Sequence, residues 1–279
     1  MYFTDGSQAS DGGTRLAMCD APAPGEVWLV GAGPGDPGLL TLRAATAIRA
    51  ADLVLHDHVP ARIARAHARP GAVLIDVGKR KGAAPVPQAK IIARMLDAAR
   101  AGQRVVRLKA GDPFLFARGA EEAAALAAAG IPWRVVPGVS AGLAAPAAAG
   151  IALTRRGVAG AVTFLSGHDE TGQMPPHDWD ALARAGGTLV VFMAMTRLDS
   201  LVLALLGAGM PAGTPLAIVA QASLPGEASL TATLGTAMLA VRRNAALPSP
   251  AMVLIGATVG QAIGLPDTIG AEPARRAAR

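Results

Sequence analysis

Short apolar runs alternating with segments of helical spacing constrain this chain more than any other feature of it. Glu26 to Gly31 (EVWLVG), Asp52 to His56, Ala72 to Gly78, Arg104 to Leu108 and Pro132 to Val136 form the runs. Leu39 to Ala51, Ala61 to Ala68, Gln88 to Ala101 and Gly119 to Ala129 fill the intervals with apolar residues spaced as on one face of a helix. The runs are apolar at successive positions rather than at alternate ones, as expected when helices cover both faces of a parallel sheet. The sequence therefore predicts a βαβ series. The segment GAEEAAALAAA has strong helix formers, an acidic first turn that suits the helix dipole, and Gly130 to end it.

Pro137-Gly138 changes the direction of the chain, and a small-residue helix from Ser140 to Ala149 opens a second set of elements. Strands are predicted at Ala161 to Ser166, Thr188 to Phe192, Pro215 to Ala220, Ala228 to Leu234 and Ala251 to Gly256. Helices fall near Leu198 to Leu206 and Gly235 to Asn244, an order that permits a mixed sheet. The expected organisation is a flexible leader (1–24), an N-terminal α/β domain (25–137), a C-terminal α/β domain (138–265) and a flexible basic tail (266–279). A length of 279 residues suits two such cores.

The longest apolar stretches, Leu189 to Met195 and Leu201 to Leu206, fall short of the roughly 20 residues that a membrane-spanning helix needs. The first 25 residues lack a basic segment followed by an apolar one, so no secretory signal is expected and the chain is placed in the cytoplasm. A single cysteine, Cys19, excludes an internal disulfide. Only His56 and His58 lie close together among the histidines, and no metal site is expected. The net charge is +6, part of it in Arg275, Arg276 and Arg279. With 3% aromatic residues, that charge suits an anionic small molecule at least as well as nucleic acid.

Residues 31 to 38 (GAGPGDPG) join the first strand to the first helix, where a glycine loop lets backbone approach a ligand closely. A dinucleotide fingerprint would need glycine at position 36, which is Asp36. That leaves a tight strand-to-helix turn or another ligand. A second loop, Lys109 to Glu122, also follows a strand and precedes a helix, which puts it at the carboxyl end of the sheet where open α/β folds bind ligands. Arg118 and Glu121, three apart at the helix start, face one cleft or form a surface ion pair.

Taken in order, GAGPGDPGLLTLRA, HDHV, VGKRKG, RLKAGDPFLFARGAEE, VPGVSAG, ALTRRG, FLSGHD, VFMAM and PAMVLIG resemble the tetrapyrrole methylase family over about residues 26 to 265. The resemblance implies two α/β domains with a cofactor cleft between them, a homodimer, and S-adenosylmethionine as the cofactor, released as S-adenosylhomocysteine. It implies C-methylation of uroporphyrinogen III at C2 and C7, giving precorrin-2. It places Pro34, Ala110, Gly111, Asp112, Leu115, Ser140, Ala141, Met193 and Ala222 against the cofactor. Asp57 and Lys79 fall at the family's proton acceptor and donor, and Arg118 and Glu121 at the tetrapyrrole site. Arg155, Arg156 and His168 are further candidates for the eight substrate carboxylates, which Arg grips with two prongs and Lys as a point charge.

The chain departs from the family pattern at Ala83, Ala110, Ala117, Arg155 and Ala222. Three other readings stand beside the first: a methylase of a later corrin precursor, a ribosomal RNA methylase, and a catalytically silent binding protein.

Overall fold

A computed structural model describes residues 20–78, 86–169, 171–244 and 247–263. The expected tail, Cys19 and most of the expected leader lie outside the described residues, as do Lys79 and Ala83. In the described end of the expected leader Pro22 is buried, Ala23 N donates to Glu26 Oε2 at 2.9 Å, and Asp20 pairs with Arg134 at 3.2 Å.

The first five strands are β1 (Val27–Gly31), β2 (Leu53–His56), β3 (Val73–Asp76), β4 (Val105–Lys109) and β5 (Trp133–Val136). They make one parallel sheet in the order β3-β2-β4-β1-β5. The period of two in a strand sorts their side chains onto two faces. Trp28, Val30, Val54, Val106 and Leu108 pack against α1 (Leu42–Ala50) and α2 (Ala61–His67). Val27, Leu29, Leu53, Leu55 and Val105 pack against α3 (Gln88–Arg100) and α4 (Gly119–Ala128). The expectation of strands covered on both faces holds for β1, β2 and β4, which are buried along their whole length. It fails for β3 and β5, because they are the edges, where Val73 and Trp133 reach solvent.

The second sheet is mixed, in the order β6-β7-β10-β8-β9. Its strands are β6 (Val162–Ser166), β7 (Thr188–Phe192), β8 (Pro215–Ala220), β9 (Ala228–Thr233) and β10 (Ala251–Ile255). Only β6 and β7 pair in parallel; β10 returns between β7 and β8 and runs against both. As a result β6, β7 and β8 end on the same side. One face is covered by α5 (Ala141–Ala148), the other by α6 (Trp179–Ala185), α7 (Leu198–Gly207) and α8 (Ala237–Arg243). Fully buried Leu201, Leu205, Leu216 and Ile218 anchor the latter layer, each worth about 1.5–3 kcal/mol of transfer free energy.

Helix α6 is absent from the sequence reading. Asp178 starts it by accepting from Ala181 N at 2.9 Å, and Asp180 complements its first turn. Two prolines just ahead of it make the stretch look like a continuous loop.

Candidate active site

Loops from both sheets meet at the carboxyl ends of their strands. Past β1 and β4 the chain closes a backbone bridge, with Gly111 N donating to Gly33 O at 2.8 Å and Gly33 N to Gly111 O at 3.3 Å. The loop after β5 lies directly on this pair. A Cβ on Gly31 would sit 2.5 Å from Gly138 N and 2.6 Å from Gly111 O, and one on Gly138 would sit 2.3 Å from Gly111 O. These glycines thus let three protein backbones touch; their closest neighbour is the chain itself rather than a ligand. Asp112 braces the same junction, accepting from Phe114 N at 2.8 Å and Gly138 N at 3.1 Å.

The second sheet completes the junction. Asp36 N donates to Ser223 Oγ at 3.2 Å, beyond β8, and the rings of Phe116 and Phe192 meet with centroids 4.9 Å apart. Leu224 occupies the space beside Gly35 that a side chain would need. The described non-glycine residues with left-handed φ are Phe116, Arg118, Met193, Gln221 and Ser223. Every one of them lies in a loop leaving β4, β7 or β8. Such conformations cost about 1–2 kcal/mol each and persist where the surroundings impose them, characteristically at ligand sites.

Pro34, Ala110, Gly111, Asp112, Leu115, Ser140, Ala141, Met193 and Ala222 all fall on these loops or on the first residues of α5. Pro34, Gly111 and Ser140 are buried, and Met193 is exposed. The Ser140 hydroxyl is used locally, accepting from Gly142 N at 3.1 Å to cap α5. Helix α1 is likewise capped by its own Thr41, which accepts from Ala44 N, and Asp36 occupies the turn before it. A dinucleotide phosphate would find no bare helix N-terminus there.

Beneath the loops lies a buried charge cluster. Strand periodicity puts Arg107 and Lys109 on the α4 side of β4, where they are 3% and 2% exposed, against a wholly buried Glu122. Glu122 accepts from Arg107 Nε at 3.0 Å, Lys109 Nζ at 2.9 Å and Gln88 Nε2 at 3.0 Å. Arg107 Nη2 reaches Asp57 Oδ1 at 2.6 Å, and Asp57 Oδ2 accepts from Ala110 N at 3.1 Å. Burial first, and the neighbouring Arg107 second, push the Lys109 ammonium below its usual range. Burial also opposes the charge on Arg107, but Asp57 and Glu122 outweigh it and hold the guanidinium above its usual range. The sequence reading passed over Arg107, Lys109 and Glu122. Their signal was available: two charges at alternate positions of an otherwise apolar strand must meet a buried counter-charge.

The remaining candidates are placed as follows. Arg118 and Glu121 form an ion pair at the start of α4, with Nε to Oε1 at 2.8 Å and Nη2 to Oε2 at 2.6 Å. The hydrogen bonds from Arg118 hold the Glu121 carboxyl below its usual range. His168 lies just beyond β6, its Nδ1 donating to the Asp169 carbonyl at 2.8 Å, which fixes the proton on that nitrogen. Arg155 and Arg156 are exposed on a turn closed by Arg155 and Ala159. That turn follows Leu153, whose carbonyl is held by Thr188 Oγ1 at the amino end of β7. Helix α5 has carried the chain away from the junction, so the two arginines sit at the opposite end of the second sheet from Met193 and Ala222. His56 is buried and His58 exposed.

The tetrapyrrole (corrin/porphyrin) methylase family model matches residues 26–238. A uroporphyrinogen-III C-methyltransferase of a Sinorhizobium species is 46% identical over 91% of this chain and 90% of its own length. The Pseudomonas aeruginosa uroporphyrinogen-III C-methyltransferase is 44% identical over 88% of this chain and 99% of its own. The siroheme synthase of Gluconacetobacter diazotrophicus is 44% identical, but only 53% of it is matched. Among solved structures, the uroporphyrin-III C-methyl transferase of Thermus thermophilus, complexed with S-adenyl homocysteine, superposes with a TM-score of 0.72. It is 38% identical, and the match covers 85% of this chain and 99% of that one. A cobalt precorrin-4 methyltransferase superposes at 0.75 with 28% identity, covering 84% and 96%.

Proposed function

The chain belongs to the tetrapyrrole methylase family, and from that premise we propose that it methylates uroporphyrinogen III at C2 and C7, giving precorrin-2. The methyl donor is S-adenosylmethionine. One observation carries the choice of substrate: the identity to uroporphyrinogen-III C-methyltransferases extends over almost the whole of both chains. The slightly higher superposition on the cobalt precorrin-4 enzyme reports the shared fold, whereas the higher sequence identity lies with the uroporphyrin-III enzyme and supports uroporphyrinogen III.

The junction suits an adenosyl ligand. Left-handed Met193, Gln221 and Ser223 lie in loops of the second half, Ser223 Oγ accepts from Asp36 N in the first, and Ala110, Gly111, Ala141 and Ala222 are small. Met193, 40% exposed, offers a soft apolar contact. When bound, S-adenosylmethionine supplies an activated methyl group, and holding it in line with an electron-rich pyrrole carbon provides much of the rate.

Side chains of this chain do the rest. Asp57, with one oxygen on Arg107 and the other on Ala110 N, is the base that takes the proton the macrocycle sheds. Arg118 is permanently charged and so anchors a substrate carboxylate through the fork that Glu121 now fills. His168, beyond β6, offers a further contact, and Lys79 is the donor. The same reading makes the protein a cytoplasmic homodimer that feeds sirohaem, cobalamin or haem d1 synthesis. It is supported by the family resemblance, and light scattering tests the dimer. Among the described residues no helix is long and apolar enough to cross a membrane.

The test is anaerobic turnover of enzymatically generated uroporphyrinogen III with methyl-labelled S-adenosylmethionine, followed by mass analysis. Two added methyl groups are expected. None, with the cofactor still bound in calorimetry, would move the substrate to a later corrin precursor.

A further inference from the structure

We propose that Arg107 is the positioning residue of Asp57, fixing the carboxylate so that it can accept a proton while tied to the cofactor loop. This rests on the reading of Asp57 as the base. Asp57 ends on a loop just past β2, and its side chain is 28% exposed, so nothing in its own backbone sets the plane of its carboxylate. Arg107 supplies that from below: Nη2 takes Oδ1 at 2.6 Å, leaving Oδ2 for Ala110 N at 3.1 Å. Each guanidinium nitrogen is itself engaged. Nε lies on Glu122, and Nη1 donates to the carbonyls of Leu108 at 3.2 Å and Leu55 at 3.4 Å. Glu122 is held in turn by Lys109 and by Gln88.

The fork cannot be exchanged for a point charge. A lysine at 107 carries three rotatable donors on a single nitrogen, so it would not reproduce the rigid planar fork that aims the Asp57 carboxylate. The arrangement also explains why a buried cation is tolerated on β4. Its charge is divided between a fully buried anion that locks it and a partly exposed anion that it orients.

The experiment is a double-mutant cycle of Arg107→Lys with Asp57→Asn, reading kcat, the tetrapyrrole KM and cofactor affinity by calorimetry. A misaimed carboxylate should lower kcat by about tenfold or more in R107K, with KM and cofactor affinity within about twofold of the parent. In the D57N background the same substitution should have no further effect on kcat, because the group it aims is gone. Effects that multiply would mean Arg107 acts independently of Asp57, and that overturns the inference while leaving the base in place. Full turnover by D57N alone removes the base reading and the inference with it. Should R107K not fold, the cycle is run with R107Q, which removes the fork from Asp57 and leaves Glu122 paired with Lys109.

Discussion

Arg118 and Glu121 are locked together by two parallel hydrogen bonds of 2.8 and 2.6 Å at the first turn of α4, with about half of each side chain open to solvent. An exposed pair of this kind contributes no more than about 1 kcal/mol to stability. Its geometry is also the one in which a guanidinium grips a carboxylate of a ligand, so under the proposed anchoring role Glu121 holds the fork in the shape a substrate carboxylate would need. Arg118→Ala should lower kcat/KM for the tetrapyrrole by about 10- to 100-fold, the equivalent of one charged hydrogen bond. Cofactor affinity by calorimetry and the melting temperature should barely change. Equal losses for both ligands would remove Arg118 from the anchoring role.

Gly31 and Gly138 make the opposite case, in which a single methyl group should disable the site by architecture. Neither has space for a Cβ, because backbone atoms of Gly111 and of the other glycine lie within 2.8 Å of where it would be. Gly31→Ala should cost about 1–3 kcal/mol in a urea titration, the usual range for overpacking, and weaken cofactor binding in the protein that still folds. Gly130→Ala is the control for space. Nothing lies within 4 Å of its Cβ position, although its φ of 68° adds backbone strain. If Gly31→Ala retained parental cofactor affinity, the triple backbone contact would not be what shapes the cleft.

The strands of the first sheet were legible because burial on both faces leaves an unbroken apolar run, as in Val27 to Gly31. The sequence order of those strands says nothing of their order in space; β4 inserts between β2 and β1, a placement that brings Arg107 onto Asp57 beyond β2 and, with Lys109, onto Glu122. The glycine loop was legible as a loop, but not its purpose, since the partner backbone at Gly138 is more than 100 residues away in the chain. Arg155 and Arg156 read as substrate ligands while the direction of α5 was unknown. Once α5 is seen to run from Ser140 at the junction to the amino end of β7, the two charges fall on the far side.

Asp52 gives the fold a dependence on acid. It accepts from Arg104 N at 2.7 Å and pairs with Arg104 Nε and with Arg69, joining the starts of β2 and β4. The backbone hydrogen bond from Arg104 is the largest cause, with the two arginine side chains adding to it, of a carboxyl held below its ordinary value of 3.8. A carboxyl that binds its proton less tightly when folded contributes stability above its unfolded pKa. That contribution disappears as pH falls through the depressed native value. Asp52→Asn should therefore be less stable than the parent at neutral pH, and the gap should close as the pH drops below about 4, near the unfolded carboxylate value. Urea titrations of both proteins across that range read it directly, and a gap independent of pH would assign the effect to packing.

Phe116 sets a strained backbone against a ring contact, and two substitutions separate them. Its φ is 51°, and its ring meets Phe192 at 4.9 Å; Phe192 in turn lies edge-on to Phe164 at 6.0 Å and against Gly142 at the start of α5. Through this stack the loop after β4 is joined to the second sheet. An aromatic pair of this kind is worth about 0.5–1.5 kcal/mol. Phe116→Ala loses the ring and keeps the left-handed strain, whereas Phe116→Gly loses both. In an ordinary helix or strand glycine is the worse residue, but here it should be the better one, by about 1 kcal/mol in urea, because alanine alone must still adopt a positive φ. Both should weaken cofactor binding to a similar degree, since both uncouple the loop carrying Leu115 from β7. An alanine variant more stable than the glycine variant would show that the loop relaxes out of the left-handed region once the ring is gone, and that Phe192 alone imposes the strain.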